Sequence, residues 1–324
     1  MKNKAKRLIN IEEYIPINGI NQYLFHSGTK YENPVILFLH GGPGSAGSIF
    51  AHVFQEKWED IFTVVHWDQR GSGKTLTKNS DKYPTIDLLL MDLYEIIQYL
   101  KKKYNKNKII ILGHSWGSVL GSIFIKQYPE EVEYYIGVGQ VVNKLENERV
   151  SYEKVKELIL QANDKKSLKV LEAIGDYPGD KLDDKWLKKC IKLRKLQGKY
   201  NLAVKSNSSA FKIIFTSPVF KFSDMTALIK GGKANRELVN FLGSFDLYSE
   251  PLEYKVPIYY ILGENDWSTP YIIAQEYFNR IKAPYKKLFI IPNAGHMTMI
   301  DQPDLVFNAL LEIKNIRCNI SIIN

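Results

Sequence analysis

Ser115 sits at the centre of Gly113-His114-Ser115-Trp116-Gly117, a G-x-S-x-G pentapeptide between the apolar run KIIIL and a helical pattern. So tight a strand-to-helix turn strains the serine backbone and lifts its hydroxyl clear of the sheet, while the glycines leave room for neighbouring backbone. The helix that follows aims free N–H groups and its positive dipole end at the same point. A hydroxyl held this way is a nucleophile for acyl transfer, provided a base takes its proton. A small-residue turn before a helix explains the pentapeptide equally well, so the partners decide.

A base and an acid appear in the chain order that such sites use, serine then acid then histidine. Asp266 follows the run VPIYYILG and His296 follows KLFIIP, so each lies just past the carboxyl end of a predicted strand. That edge is where parallel sheets bind ligands. His296 is expected to take the Ser115 proton and return it to the leaving group, with Asp266 fixing the imidazole tautomer. Glu264 is a competing acid two residues before Asp266. His26, His40, His52, His66 and His114 read as packing or surface residues, His114 with its side chain turned away from the serine oxygen.

Acyl transfer also builds negative charge on oxygen, which preorganised N–H groups stabilise. The glycine loop His40-Gly41-Gly42-Pro43-Gly44 directly follows PVILFL. Gly42 N–H and Trp116 N–H are assigned as the oxyanion hole, with Gly41 as the alternative in the loop. Two decoys overlap these motifs. Gly42 to Gly47 satisfies G-x-G-x-x-G with Asp68 downstream, a dinucleotide fingerprint, but Pro43 removes a donor from the phosphate cradle. Arg70-Gly71-Ser72-Gly73-Lys74-Thr75 resembles the end of a phosphate-binding loop, yet aspartate occupies position 68 where its first glycine belongs.

The elements that must position these groups alternate between strand and helix. IEEYIPI and NQYLFHSG read as strands joined by Asn18-Gly19, a turn pair suited to positive φ. PVILFLH, FTVVHWD, KIIILGH and YYIGVG are apolar runs of the kind buried on both faces of a sheet. From Thr85 to Tyr104 apolar residues recur at helical spacing, and WGSVLGSIFIKQ forms a helix that Pro129 closes. From Val142 to Leu247 the pattern is lysine-rich and helical. After Ser249 VPIYYILG, IIAQEYFNRI, KLFIIP and LVFNALLEI restore the alternation. The expected fold is an α/β-hydrolase fold: a mainly parallel sheet with helices on both faces, a core from 1–141 and 248–324, and a helical cap over 142–247.

Composition narrows the function. The chain of 324 residues is 45% apolar and 24% charged, with formal charge +9. Its lysines are spread among apolar residues at helical spacing, as on solvated helix faces, which argues against nucleic-acid binding. Cys190 and Cys318 form no metal or redox spacing and read as two buried, inert thiols. No apolar run suits a membrane span or a signal-peptide core. The expectations are a cytoplasmic enzyme with no metal, cofactor or membrane partner, acting on a small molecule or short peptide; the oligomeric state is not legible.

Together HGGPG (His40–Gly44), DQRGSG (Asp68–Gly73) and GHSWG (Gly113–Gly117), with Asp266 and His296 in order, resemble the prolyl iminopeptidase family of α/β-hydrolases. The resemblance implies cofactor-free hydrolysis through an acyl-enzyme under a helical cap, and a DQRGSG loop that serves as scaffold, with Arg70 available to a carboxylate. Family aminopeptidases remove N-terminal proline and hold its amine with cap acids. The tryptophan–glutamate and glutamate–asparagine–histidine–tyrosine cap segments of typical members are absent here, so proline specificity does not carry over. Glu146, Glu148, Asp176, Asp224 and Glu237 are the substitutes on offer, each also explicable as a solvated cap residue. Two activities remain open: release of N-terminal residues from short peptides or amides, and carboxylesterase or lactonase action on a small acyl ester. A non-catalytic binding protein would leave the three residues without a purpose, and serine at 115 sets aside the aspartate-elbow dehalogenases and epoxide hydrolases.

Overall fold

The computed structural model describes residues 7–79, 83–179, 184–203 and 210–323. Its centre is an eight-stranded sheet built from β1 (Ile9–Ile17), β2 (Ile20–Gly28), β3 (Val35–Leu39), β4 (Thr63–Asp68), β5 (Ile109–His114), β6 (Val132–Val138), β7 (Ile258–Gly263) and β8 (Lys286–Ile291). The spatial order is β1-β2-β4-β3-β5-β6-β7-β8. The first two strands form the expected hairpin, with Asn18 and Gly19 at φ 45° and 78°, and β2 pairs antiparallel with β4. The neighbours from β4 to β8 pair in parallel. Every residue of β3, β4 and β5 is buried, which is why these strands read as unbroken apolar runs.

The helices before β6 are α1 (Ala51–Phe54), α2 (Gly73–Lys78), α3 (Ile86–Tyr104) and α4 (Trp116–Gln127). Thr85 caps α3 by accepting the Leu88 N–H, as its sequence position before an apolar periodicity suggests. Between β6 and β7 the described residues form α5 (Lys144–Gln161), α6 (Lys165–Glu172), α7 (Asp184–Lys199), α8 (Ala210–Thr216), α9 (Met225–Ala234) and α10 (Arg236–Gly243), with no strand. The chain then adds α11 (Tyr271–Arg280), α12 (Thr298–Asp301) and α13 (Pro303–Ile323).

Two apolar layers sandwich the sheet. One joins Leu89, Leu93, Ile96 and Leu100 of α3 to Val119 and Phe124 of α4 and Tyr277 of α11. The other packs Trp58, Phe62 and the α13 residues Val306, Leu310 and Ile313 on the opposite face. The helical insertion has a separate cluster including Val155, Ile159, Trp186, Leu193 and Leu196. Cys190 is buried beside it, whereas Cys318 is exposed. The expectation of two buried thiols therefore fails for Cys318, which lies beyond Ile313, where α13 has left the core. Among the described residues no helix is long and apolar enough to cross a membrane.

Buried charges tie the frame together. Arg70 donates from Nε and Nη2 to both oxygens of Asp92 on α3, at 2.9 and 3.0 Å, and both side chains are buried. Asn18 of the hairpin turn donates to the same carboxylate and accepts from Arg70. Removing one partner of such a pair strands the other charge without water, at a cost of about 3–5 kcal/mol. Asp92→Ala is expected to lower unfolding stability by that amount in urea titrations, and Arg70→Met added to it should recover part of the loss.

Candidate active site

Register brings the site together. Leu39 of β3 pairs with Gly113 of β5, so the glycine loop and the serine turn leave the sheet side by side. Chain order reverses between these strands, since β4 lies on one side of β3 and β5 on the other, and such a switch point opens a crevice at the carboxyl edge. Gly263 of β7 pairs with Ile291 of β8, which sets the Asp266 and His296 loops next to each other at the same edge.

Ser115 has φ 53° and ψ −117°, a conformation that costs an L-residue energy. The turn closes because β3 and α4 approach to backbone contact: a Cβ on Gly117 would lie 2.0 Å from the Leu39 carbonyl oxygen. His296 Nε2 is 2.9 Å from Ser115 Oγ, and its Nδ1 is 2.8 Å from Asp266 Oδ2. Asp266 is buried, and its Oδ1 accepts the Ser268 and Thr269 N–H groups while Oδ2 also accepts the Thr269 hydroxyl. Burial alone would raise its carboxyl, but His296 and the bonds from Thr269 outweigh that and hold it below the usual range. Glu264, the competing acid, is exposed and instead accepts the Asn293 N–H.

The glycine loop meets the serine from the other side. A Cβ on Gly41 would lie 3.3 Å from Ser115 Cβ, and Gly42 sits at φ 120°. His40 Nδ1 donates to the Gly41 carbonyl at 2.8 Å, and Ser45 N–H donates to it as well. His40 Nε2 accepts the Gln69 N–H, which fixes the neutral tautomer, and burial pushes the imidazole down to about 4. In a trans peptide C=O and the next N–H point in opposite directions, so pinning the Gly41 carbonyl aims the Gly42 N–H the other way. Trp116 is the first residue of α4, where the N–H has no acceptor within the helix.

His114 is buried, in keeping with the packing reading, and the structure adds a specific partner. Its ring packs 5.1 Å from that of His296 and its Nε2 donates to the His296 carbonyl at 2.9 Å. Burial, then the neighbouring His296, pushes it down to about 4, so it works as a neutral donor that holds the backbone of the His296 loop. No local signal in the sequence announces this role, because the partner lies 182 residues away along the chain.

The helical insertion grips both partner loops. The Leu202 carbonyl accepts the Trp267 N–H, the Ala203 carbonyl accepts the His296 N–H, and Ser151 and Gln197 donate to the Trp267 carbonyl. The candidate acids are placed as follows. Glu148 is buried against Lys144, Arg194 and Tyr177; burial opposes its charge, but the two cations hold it well below the usual range. Asp224 is buried against Lys74 at 2.8 Å, and Glu146 pairs with Arg149. Asp176 and Glu237 are exposed. Asp68, the decoy acid, is buried and accepts from Ser48 and the Lys74 N–H, with burial raising it to about 6.

A cavity of about 190 Å³ opens beside Ser115 and His296. Phe38, Phe50, Phe54, Met297 and Met299 form its walls, with the loop from His40 to Gly42, and no described carboxylate lines it.

Residues 34–303 match the family model described as alpha/beta hydrolase fold. The chain belongs to the α/β-hydrolase family. This α/β-hydrolase is 30% identical to the probable aminopeptidase YbaC of Bacillus subtilis over 309 residues, covering 94% of this chain and 96% of that protein. It is 25% identical to a proline iminopeptidase of Saccharolobus solfataricus, covering 94% and 92% of the two chains. In three dimensions it superposes on a proline iminopeptidase-related protein of Thermus thermophilus with TM-score 0.62 at 22% identity, over 94% of this chain and 97% of that one. The resemblance read from HGGPG, DQRGSG and GHSWG is borne out, and the enzyme is a hydrolase.

Proposed function

We propose that this hydrolase works through an acyl-enzyme on Ser115 and releases the N-terminal residue of short peptides or amides. The observation that carries the chemistry is the continuous hydrogen-bond chain from Ser115 Oγ through both His296 nitrogens to Asp266. His296 Nε2 takes the hydroxyl proton as Oγ adds to the substrate carbonyl. The oxygen of the tetrahedral intermediate gains its charge beside the N–H groups of Gly42 and Trp116. The C–N bond then breaks, and the amine leaves with the proton held by His296. Water repeats the sequence on the acyl-enzyme, giving the acid and regenerating the Ser115 hydroxyl. Residues 142–247 act as the cap over this edge. The peptidase reading is supported by full-length likeness to a protein named as a probable aminopeptidase.

One observation favours a second reading, a carboxylesterase or lactonase using the same three residues. An aminopeptidase needs a carboxylate for the substrate's free amine, yet the cavity walls are aromatic and thioether groups, and Glu148 and Asp224 are already paired. The deciding experiment compares turnover of proline and alanine arylamides with short p-nitrophenyl esters. Arylamide turnover is expected under the peptidase reading; ester turnover with none on arylamides would overturn it.

A further inference from the structure

The stretch 210–233 of the insertion carries Lys212, Lys221, Lys230 and Lys233 against a single acid, Asp224. That acid is buried on Lys74, so the outer surface of this stretch presents only positive charge. Among these lysines, Phe222 is 81% and Ile229 79% exposed, and Phe215 and Leu228 are about half exposed (51% and 49%). The rings of Phe215, Phe220 and Phe222 cluster with centroids 5.6 to 6.3 Å apart. Along α9, Thr226, Ile229, Lys230 and Lys233 face outward at helical spacing while Ala227, Gly231 and Ala234 face inward. Apolar side chains grouped on a surface mark an interaction site. Phenylalanine with lysine on one outward face is the composition of segments that lie in a lipid interface.

We propose that this face docks on an anionic lipid surface, with Phe222 and Ile229 among the headgroups and the surrounding lysines on their charges. Charge selects that occupant: a second copy would bring the same lysines together, and a neutral apolar partner would leave them unmatched. The attachment is peripheral, which refines the expectation of no membrane partner drawn from the lack of a spanning segment. Beneath the patch lies a cavity of about 240 Å³ lined by Ile214, Ala227, Leu228 and Gly231, and by Ser45 and Phe50. Ser45 and Phe50 also line the cavity beside Ser115. Under the esterase reading, docking brings amphiphilic acyl esters toward Ser115 from the lipid phase; that consequence rests on the second reading of the function, whereas docking itself does not.

The test is cosedimentation of the full chain with vesicles of phosphatidylcholine alone and of phosphatidylcholine mixed with phosphatidylglycerol. Binding is expected on the mixed vesicles only and is expected to fall at high salt. Each lysine near such a surface strengthens binding about fivefold, so Lys230→Glu with Lys233→Glu should weaken it at least about 25-fold. Phe222→Ser with Ile229→Ser should weaken it about tenfold or more. Both variants are expected to hydrolyse a soluble ester at the parent rate, which reports an intact fold. Failure to bind anionic vesicles, or equal binding by parent and variants, overturns the proposal. So does a parent dimer in light scattering that Phe222→Ser with Ile229→Ser makes monomeric, since that assigns the face to a second copy. Vesicle binding without any hydrolysis would instead overturn the Ser115 chemistry and leave the docking intact.

Discussion

Ser115→Ala is expected to abolish labelling by a fluorophosphonate probe and to lower kcat by roughly 10⁴–10⁶. The size follows from the geometry: among the described residues, the Ser115 hydroxyl is the group at His296 Nε2 that can both lose a proton and bond to carbon. Without it the remaining donors can only polarise a carbonyl. Active-site titration with the probe and single-turnover kinetics on an ester report the loss, and persistent labelling of the alanine protein would sink the assignment. A second readout separates chemistry from folding. The backbone at φ 53° is strained for any residue with a Cβ. Ser115→Gly relieves that strain at the expense of extra freedom in the unfolded chain, which takes back about 0.5–1 kcal/mol. The glycine variant should therefore be as inactive as the alanine variant and more stable than it by about 1 kcal/mol in denaturant titration.

Local signals in the sequence reached the sheet and the loops that carry Ser115, Asp266 and His296, because both are written in short range. The 3.6-residue periodicity from Thr85 to Tyr104 announced α3, Asn18-Gly19 announced the hairpin, and unbroken apolar runs announced the buried strands. Strand ends then located Asp266 and His296 without any knowledge of their separation. The unread parts depend on contacts between distant segments. α2 begins within the glycine-rich DQRGSG run, where no apolar periodicity exists, and is held by Asp68 accepting the Lys74 N–H. Arg70 announced a carboxylate partner but not which one; Asp92 lies on α3 and joins it only through the sheet. The cap acids were the hardest case. Lys144, one helical turn before Glu148, is a local partner for it, but nothing near Glu148 or Asp224 in the chain reveals that Arg194 and Lys74 also occupy them, so tertiary packing completed their pairing. Leu202 and Ala203 hold the Trp267 and His296 loops through their backbone carbonyls, whose bonding carries no signature in residue type.

Asp266→Asn should lower kcat about 10⁴-fold while leaving the fold in place, and the reason lies in which atoms accept protons. In the parent, Oδ1 accepts the Ser268 and Thr269 N–H groups and Oδ2 accepts the Thr269 hydroxyl and faces His296 Nδ1. An asparagine keeps its carbonyl on the two backbone donors, because turning the amide toward them would bury two unsatisfied N–H groups. Its amide nitrogen then faces His296 and donates to Nδ1. The imidazole is driven to the opposite tautomer, with its proton on Nε2, and a protonated Nε2 cannot accept from Ser115 Oγ. The Thr269 hydroxyl, which loses an acceptor, turns toward another partner or solvent. Substrate affinity should change little, since no atom of Asp266 lines the cavity beside Ser115, so the loss belongs in kcat rather than KM. Glu264→Gln supplies the contrast: its carboxylate is exposed and touches the Asn293 N–H, so full activity is expected. A comparable fall in both variants would show that the Asp266 loop acts through its shape, whereas loss in Asp266→Asn alone identifies the carboxylate as the group that sets the tautomer of His296.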